Sequence, residues 1–313
     1  MALASLRAAA GQSTQRIMLV VLLTLLPGTL AMAMLWGPGV LWNIGWLLTL
    51  CLATEAVMCA LRGIAPGSHL LDLSTAVTAV LIGICLPPGV PILVLALAAV
   101  CAIGLAKHAY GGTGRNIFNP AMVGFAVALV SFPEAFATWS QLSQTDVLSG
   151  ATQLSEFRYR EGMTTAEFDL RYAATLGAQN TIAGLFAAGG AALLVLRVIS
   201  WQVPVGALLG IMLASLFGYD QGSSQSHGSF VFHLFSGGFM VAMFFVATDP
   251  VTHPKDRNMQ VLFGAIVGLL TYLIRAHGVY PDGIAFAILL ANCVTPLLDR
   301  WQGRASNKVD QHA

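Results

Sequence analysis

The chain has 313 residues, 57% of them hydrophobic and 9% charged, with a net charge of +1 and a mean hydropathy of +0.76. A soluble domain carries about 25% charged residues, so this composition describes an integral membrane protein, and an all-α one. A net charge so close to zero implies no nucleic-acid partner.

In chain order, residues 1–16 make a short arm carrying Arg7 and Arg16. The first apolar run, about 17–36, is long enough to span a bilayer. No small-residue cleavage site follows it convincingly, so it reads as a retained helix and not as a signal peptide. Further apolar segments lie at about 40–61, 73–86, 91–107, 120–132, 181–199, 203–218, 230–247, 260–275 and 283–298. Several of the ten are short: helices over 73–86 and 120–132 reach only about 20 Å, against a hydrocarbon core of about 30 Å. Pro87-Pro88 ends the first of these, and Asn119-Pro120 begins the second with a capping side chain and proline at the first helical position. Interrupted backbone of this kind is tolerated at membrane depth where it is buried in protein or lines a cavity.

The segments fall into two groups of five, 17–132 and 181–298, separated by a polar loop at 133–180 and followed by a tail at 299–313. Leu81–Pro91, with its Pro87-Pro88, has a counterpart in Phe244–Pro254, with its Asp249-Pro250. Each is followed by an apolar span, a basic residue with a histidine (Lys107-His108; Arg275 and His277) and a glycine-containing loop. Five spans per repeat is odd, so the second repeat is inverted, an arrangement in which broken helices meet near the midplane.

With the N-terminus inside, Arg7, Arg16, Arg62, Lys107, Arg115, Arg197, Lys255, Arg257, Arg300, Arg304 and Lys308 fall on the cytoplasmic side. Arg158, Arg160, Arg171 and Arg275 fall outside, a positive-inside bias that puts both termini in the cytoplasm and 133–180 in the periplasm of a Gram-negative cell. Trp36, Trp42 and Trp46 cluster at the outer interface, with Trp201 and Trp301 inside, as an aromatic belt.

Cys51, Cys59, Cys85, Cys101 and Cys293 all sit in apolar segments without CxxC or Cys/His metal spacing, and read as small apolar side chains. His69, His108, His253 and His277 sit at span ends, where a polar tip reaches headgroups. His227 and His312 read as loop residues, and His233 lies at the outer end of the eighth segment. Glu55, inside the second segment, is a functional candidate because a carboxylate in hydrocarbon must be paired, hydrated or protonated. Asp249 stands beside a helix break, where it and Thr248 suit coordination of Na⁺ or relay of H⁺; capping or turn formation before Pro250 is the competing account.

Two motifs stand out. Asp146-Val-Leu-Ser149-Gly150-Ala151-Thr152 places a hydroxyl after small residues in the polar loop, open to esterification from the aqueous side. Gly111-Gly-Thr-Gly-Arg115-Asn116-Ile-Phe-Asn119-Pro-Ala-Met122 combines glycines for close backbone approach with a helix start that favours an anion or an electron-rich ring.

These two motifs and the late Ala247-Thr-Asp-Pro-Val-Thr252, in this order, resemble the RnfD/NqrB family. That family comprises the RnfD or RsxD subunit of the ion-translocating Rnf electron-transport complex and the NqrB subunit of the sodium-pumping NADH:quinone oxidoreductase. The short N-terminal arm is more like RnfD. The resemblance covers essentially the whole chain. It implies an FMN joined through its phosphate to Thr152 by a flavin transferase, which would read Ser149, Gly150, Ala151 and Asp146. It also implies a second, noncovalent flavin or riboflavin, lined by the Gly111–Met122 loop with Arg115, Asn116 and Asn119. Arg115 stands where a neutral polar residue is expected, and Gln153–Phe157 departs from the usual continuation. The partners implied are the second covalent-flavin subunit RnfG, the membrane subunits RnfA and RnfE, and membrane lipids, in the inner membrane of a bacterium. On this reading the chain is a redox subunit, not a complete enzyme, that couples electron transfer to Na⁺ or H⁺ movement. Nicotinamide and ferredoxin sites belong to partners, because no fingerprint for either is present. The competing readings are an NqrB-like subunit of a quinone reductase and a urea-channel-like solute channel.

Overall fold

The computed structural model describes residues 2–137, 153–160, 162–280 and 282–310, and among these every regular element is helical. Two compact units are present: Met1–Asn116, Pro120–Gly150 and Gly184–Val198; and Ile117–Asn119, Ala151–Ala183 and Ile199–Ala313. Among the described residues five helices are long and apolar enough to cross a membrane: Thr14–Trp36, Gly39–Leu61, Ala173–Val195, Arg257–His277 and Ile284–Trp301. Shorter apolar helices cover Ser74–Cys85, Ile92–His108, Pro120–Ser131 and Gln202–Gly218.

The first unit contains α1 (Ala2–Trp36), α2 (Gly39–Leu61), α3 (Pro66–Leu70), α4 (Ser74–Cys85), α5 (Ile92–Ala99), α6 (Pro120–Ser131) and α7 (Pro133–Ala137). Helix α5 widens into a π-helix over Val100–His108. Small residues make the contacts here. A Cβ on Gly83 would lie 2.6 Å from Ile44, and one on Gly124 would lie 2.6 Å from the carbonyl of Ala98. The link between α4 and α5 is held by Asn43, fully buried on α2: its Nδ2 donates to Pro87 O at 2.7 Å and its Oδ1 accepts from Gly89 N at 3.2 Å. Backbone freed by Pro87-Pro88 thus finds its partners inside the protein, as an apolar solvent requires.

The second unit contains α8 (Gln153–Arg158), α9 (Thr165–Arg171), the start of α10 (Ala173–Val195), α11 (Gln202–Gly218), α12 (Phe230–Phe235), α13 (Phe239–Val241), α14 (Arg257–His277) and α15 (Ile284–Asp310). Helix α13 continues as a π-helix over Ala242–Val246. The segment expected as one helix over 230–247 is therefore broken at Ser236–Gly238, where Gly237 takes φ +60. The break is stitched from three sides. Arg275 donates to the carbonyls of His233 (2.7 Å) and Ser236 (3.0 Å), Gln179 donates to those of Phe235 and Gly237, and Asp282 Oδ2 accepts from Gly238 N at 2.8 Å.

Helices α11 and α14 pack glycine against backbone. Cβ atoms on Gly206, Gly210, Gly264 and Gly268 would stand 2.1 to 2.2 Å from the carbonyl oxygens of Val261, Ala265, Val203 and Ala207. Each helix contributes two glycines four residues apart, the small-residue spacing by which helices approach closely in lipid. Both units share one order of elements: helix, break, helix, π-helix, then a motif loop. Single π-turns are rare and concentrate at functional sites, and here they lead into the Gly111 and Asp249 loops.

Candidate functional site

On α2 the buried stripe runs Asn43, Leu47, Cys51, Glu55, Cys59, a four-residue spacing that keeps one face inward. Glu55 is fully buried and both of its oxygens are bonded. Oε2 accepts from Thr75 Oγ1 at 2.8 Å and from Lys107 Nζ at 2.9 Å, and Oε1 lies 2.9 Å from His108 Nε2. Lys107 and His108 are the last two residues of the first π-helix, so consecutive side chains grip the two oxygens of one carboxylate. Lys107 Nζ also donates to Ser74 Oγ and Thr75 Oγ1, each at 2.9 Å.

The network continues to the glycine loop. Arg62 Nη1 is 3.0 Å from His108 Nδ1, and Nη2 donates to Gly111 O at 3.0 Å. Asp72 Oδ1 accepts from the backbone and hydroxyl of Ser74, and Thr113 Oγ1 donates to Asp72 Oδ2 at 3.3 Å. Arg62, Lys107, Glu55 and Asp72 sum to zero formal charge. Of these Arg62 is exposed, while Lys107 and Glu55 are a buried pair of opposite charge, the condition under which buried ions persist.

The tautomer of His108 follows from its neighbours. A guanidinium has donors only, so His108 Nδ1 accepts from Arg62, and the proton of the neutral ring sits on Nε2, facing Glu55 Oε1. Glu55, Cys59 and His108 bring ligand atoms within 4.8 Å of one another. A metal there would take the Nε2 lone pair and push the ring proton onto Nδ1, against the Arg62 donor. The surrounding donors are wrong for a metal; the cluster is a hydrogen-bonded ion pair.

This geometry corrects three readings of the sequence. Lys107, counted among the cytoplasmic loop charges, is 3% exposed and paired; His108, assigned to headgroups, is equally buried. Arg275, counted outside, is buried against Asp282 at 3.0 Å. In each case a carboxylate or free carbonyls inside the protein outcompete water for the side chain's N–H donors.

In the glycine loop Gly111, Gly112 and Gly114 take φ of +115, +97 and +82, conformations that side chains resist. Arg115 is exposed there and Asn116 is buried. In the second unit Asn119 donates from its backbone to Asn292 Oδ1 at 3.1 Å and from Nδ2 to Val246 O at 3.5 Å. Asn292 and Thr295 in turn donate to Thr252 O. Between those anchors Asp249 Oδ1 accepts from Val251 N at 3.2 Å and Oδ2 from Thr252 Oγ1 at 3.4 Å, while the Thr248 hydroxyl donates to Phe244 O at 2.6 Å. Asp249 thus shapes the turn before and after Pro250.

Asp146, Ser149, Gly150, Ala151 and Thr152 lie outside the described residues. The chain just beyond them is firmly docked in the second unit. Leu154 and Phe157 of α8 are buried, and Phe157 packs on Phe168 and Phe232 with ring centres 5.1 and 4.2 Å away. Arg160 donates to the carbonyls of Phe157, Met163, Ser224 and Ser226 and lies over the Phe157 ring. Nearby, Arg158 Nη1 is buried without a hydrogen-bond partner among the described residues.

Sequence reasoning missed Asn43, Gln179, Asn292 and the Arg275–Asp282 pair. A polar side chain inside an apolar run was the available signal, since in lipid it must serve some unsatisfied group.

Residues 4–307 match the NQR2, RnfD, RnfE family. Among curated relatives, the D subunit of the ion-translocating oxidoreductase complex of Pseudomonas paraeruginosa (strain DSM 24068 / PA7) is 41% identical, the alignment covering 92% of this chain and 90% of the relative. The D subunits of the same complex from Cellvibrio japonicus and Pectobacterium carotovorum subsp. carotovorum are 39% and 38% identical, over 92% and 93% of this chain and 89% and 93% of theirs.

Proposed function

The chain belongs to the NQR2, RnfD, RnfE family, and from that premise we propose that it is the D subunit of an ion-translocating oxidoreductase complex, carrying FMN as a phosphoester on Thr152. The observation that carries the reading is near full-length similarity to relatives bearing that name, in a chain that keeps the Asp146–Thr152 motif intact. The described residues fit the group. The docked α8 fixes the chain directly after the acceptor, and the orphaned Arg158 Nη1 is a cationic donor suited to a phosphate oxygen or a flavin carbonyl. The flavin supplies reversible electron transfer; the protein supplies its placement and electrostatics.

The remaining assignments extend from this one. Ten spans in two inverted repeats place both termini in the cytoplasm and residues 133–180 in the periplasm, in a bacterial inner membrane. RnfG, RnfA and RnfE are the neighbouring subunits, and a flavin transferase loads Thr152. The glycine loop, with Arg115, Asn116 and Asn119, lines a second, noncovalent flavin. Glu55, Asp249 and Thr248 lie on the route of Na⁺ or H⁺.

The test is flavin fluorescence of the denatured band after electrophoresis, for wild type and Thr152→Val, each co-expressed with the transferase. A fluorescent wild-type band that is dark in the variant is the expected result. A dark wild-type band, with transferase activity proven on a control substrate, removes the redox reading and favours a solute channel.

A further inference from the structure

Three oxygens surround the Lys107 ammonium in the first unit: Glu55 Oε2, Ser74 Oγ and Thr75 Oγ1, each at 2.9 Å. A hydroxyl has one proton to give, and both of these are already committed. Thr75 Oγ1 donates to Glu55 Oε2 at 2.8 Å, and Ser74 Oγ donates to Asp72 Oδ1 at 2.6 Å. Only lone pairs therefore face Nζ, and its three N–H donors meet three acceptors with none left over. One carboxylate touches the cation directly, and a second, Asp72, polarises the Ser74 hydroxyl from behind. Among the described residues the hydrogen-bond partners of this ammonium are all acceptor oxygens, one of them a carboxylate's, the donor type a hard cation takes.

We propose that Glu55, Ser74 and Thr75 form a binding site for a small monovalent cation of the sodium type, and that Lys107 fills it with a tethered one. The ammonium and a free ion exclude each other. With Lys107 in place Glu55 is neutralised and the site admits no sodium. When the lysine is removed, the same oxygens are left around a buried carboxylate that needs a cation. The proposal rests on the preceding functional reading only in setting this site on the ion's route; cation binding itself does not require the flavin. Because flavin fluorescence of the band and sodium binding are read separately, failure of one leaves the other intact.

The experiment measures binding of radioactive sodium by equilibrium dialysis to the intact purified complex, in N-methylglucamine buffer. The complexes contain the wild-type chain, K107A, K107M or the double variant E55Q/K107A. The expected result is one additional sodium ion per copy of K107A relative to wild type, and a return to the wild-type number in E55Q/K107A. An equal count in wild type and K107A overturns the proposal, as does an extra sodium that survives in the double variant. Sodium should also take over the structural part of the ammonium. K107A and K107M are therefore expected to melt at a higher temperature in sodium chloride than in N-methylglucamine chloride at equal ionic strength. Loss of folded protein to the same degree in both salts, for both variants, overturns the proposal too.

Discussion

Gly268→Ala tests whether α11 and α14 are held by backbone contact. A Cβ at this position would lie 2.1 Å from Ala207 O and 2.7 Å from Ile211 N, where ordinary contact begins at 3.4 Å. Neither neighbour is a flexible side chain, so the helices must part locally by about 1.3 Å. Gly206, Gly210 and Gly264 make contacts just as close along the same seam and open with it. If each carries a Cα–H···O interaction of about 0.5–1 kcal/mol, three lost contacts amount to roughly 1.5–3 kcal/mol. Strain left in the seam adds about 1 kcal/mol, while the better helix propensity of alanine returns about 1 kcal/mol. The net expectation is a loss of roughly 1.5–3 kcal/mol in reversible SDS unfolding from mixed micelles. Gly184→Ala is the control, since nothing lies within 4 Å of its Cβ position in α10. It should be neutral or stabilising by up to about 1 kcal/mol. Equal stability of Gly268→Ala and wild type would refute the backbone-contact account, as would an equal loss in both variants.

The other expectations concern charge. Glu55→Gln leaves the Lys107 ammonium buried without its carboxylate and should destabilise the chain by about 3–5 kcal/mol, whereas E55Q/K107M should recover most of that in sodium-free medium; additive losses in the double variant would contradict the pairing. Outside the membrane, Thr164 and Glu167 form a capping box on α9. The Thr164 backbone N–H and then its hydroxyl hold the Glu167 carboxyl below the usual carboxylate range. Its contribution is therefore complete above the unfolded carboxylate value and is lost as pH falls through the lowered one. Protease protection of residues 153–172 should weaken in acid, and Thr164→Ala should flatten that dependence.

Hydropathy located the apolar segments because lipid exposure is written in composition: Leu19, Leu23 and Leu26 on α1 are exposed as the bilayer requires. Boundaries were less legible. The helix expected to start near 181 starts at Ala173, and α15 runs on to Asp310, because helices continue past the apolar core into polar sequence. The break at Ser236–Gly238 is hard to read because its glycines lie within a largely apolar stretch and its stabilisers, Arg275 and Asp282, are 37 to 46 residues further on. Glu55 was readable as a residue in need of a partner; that the partner is Lys107 was not. No local pattern announces a π-helix, and the widened turn over Val100–His108 is what sets Lys107 and His108 on the two oxygens of Glu55.

Two groups of polar side chains inside the protein differ in what they bond. Asn43, Gln179, Arg275, Asn292 and Thr295 donate to carbonyls, and Asp282 accepts a backbone N–H, all at helix breaks or motif turns. Their presence follows from the architecture: interrupted helices in lipid need internal partners, and these side chains supply them. Glu55, Lys107 and His108 are different, since the bonds described for them run to one another and to the side chains of Ser74, Thr75 and Arg62. They complete no helix end and close no break. Nor does an ion pair of this burial stabilise a fold better than packed apolar residues of similar volume, which are often neutral or favourable replacements. A fold that needs only stability has no use for this pair. That asymmetry points to Glu55, rather than the turn-forming Asp249, as the first position at which to look for ion coupling.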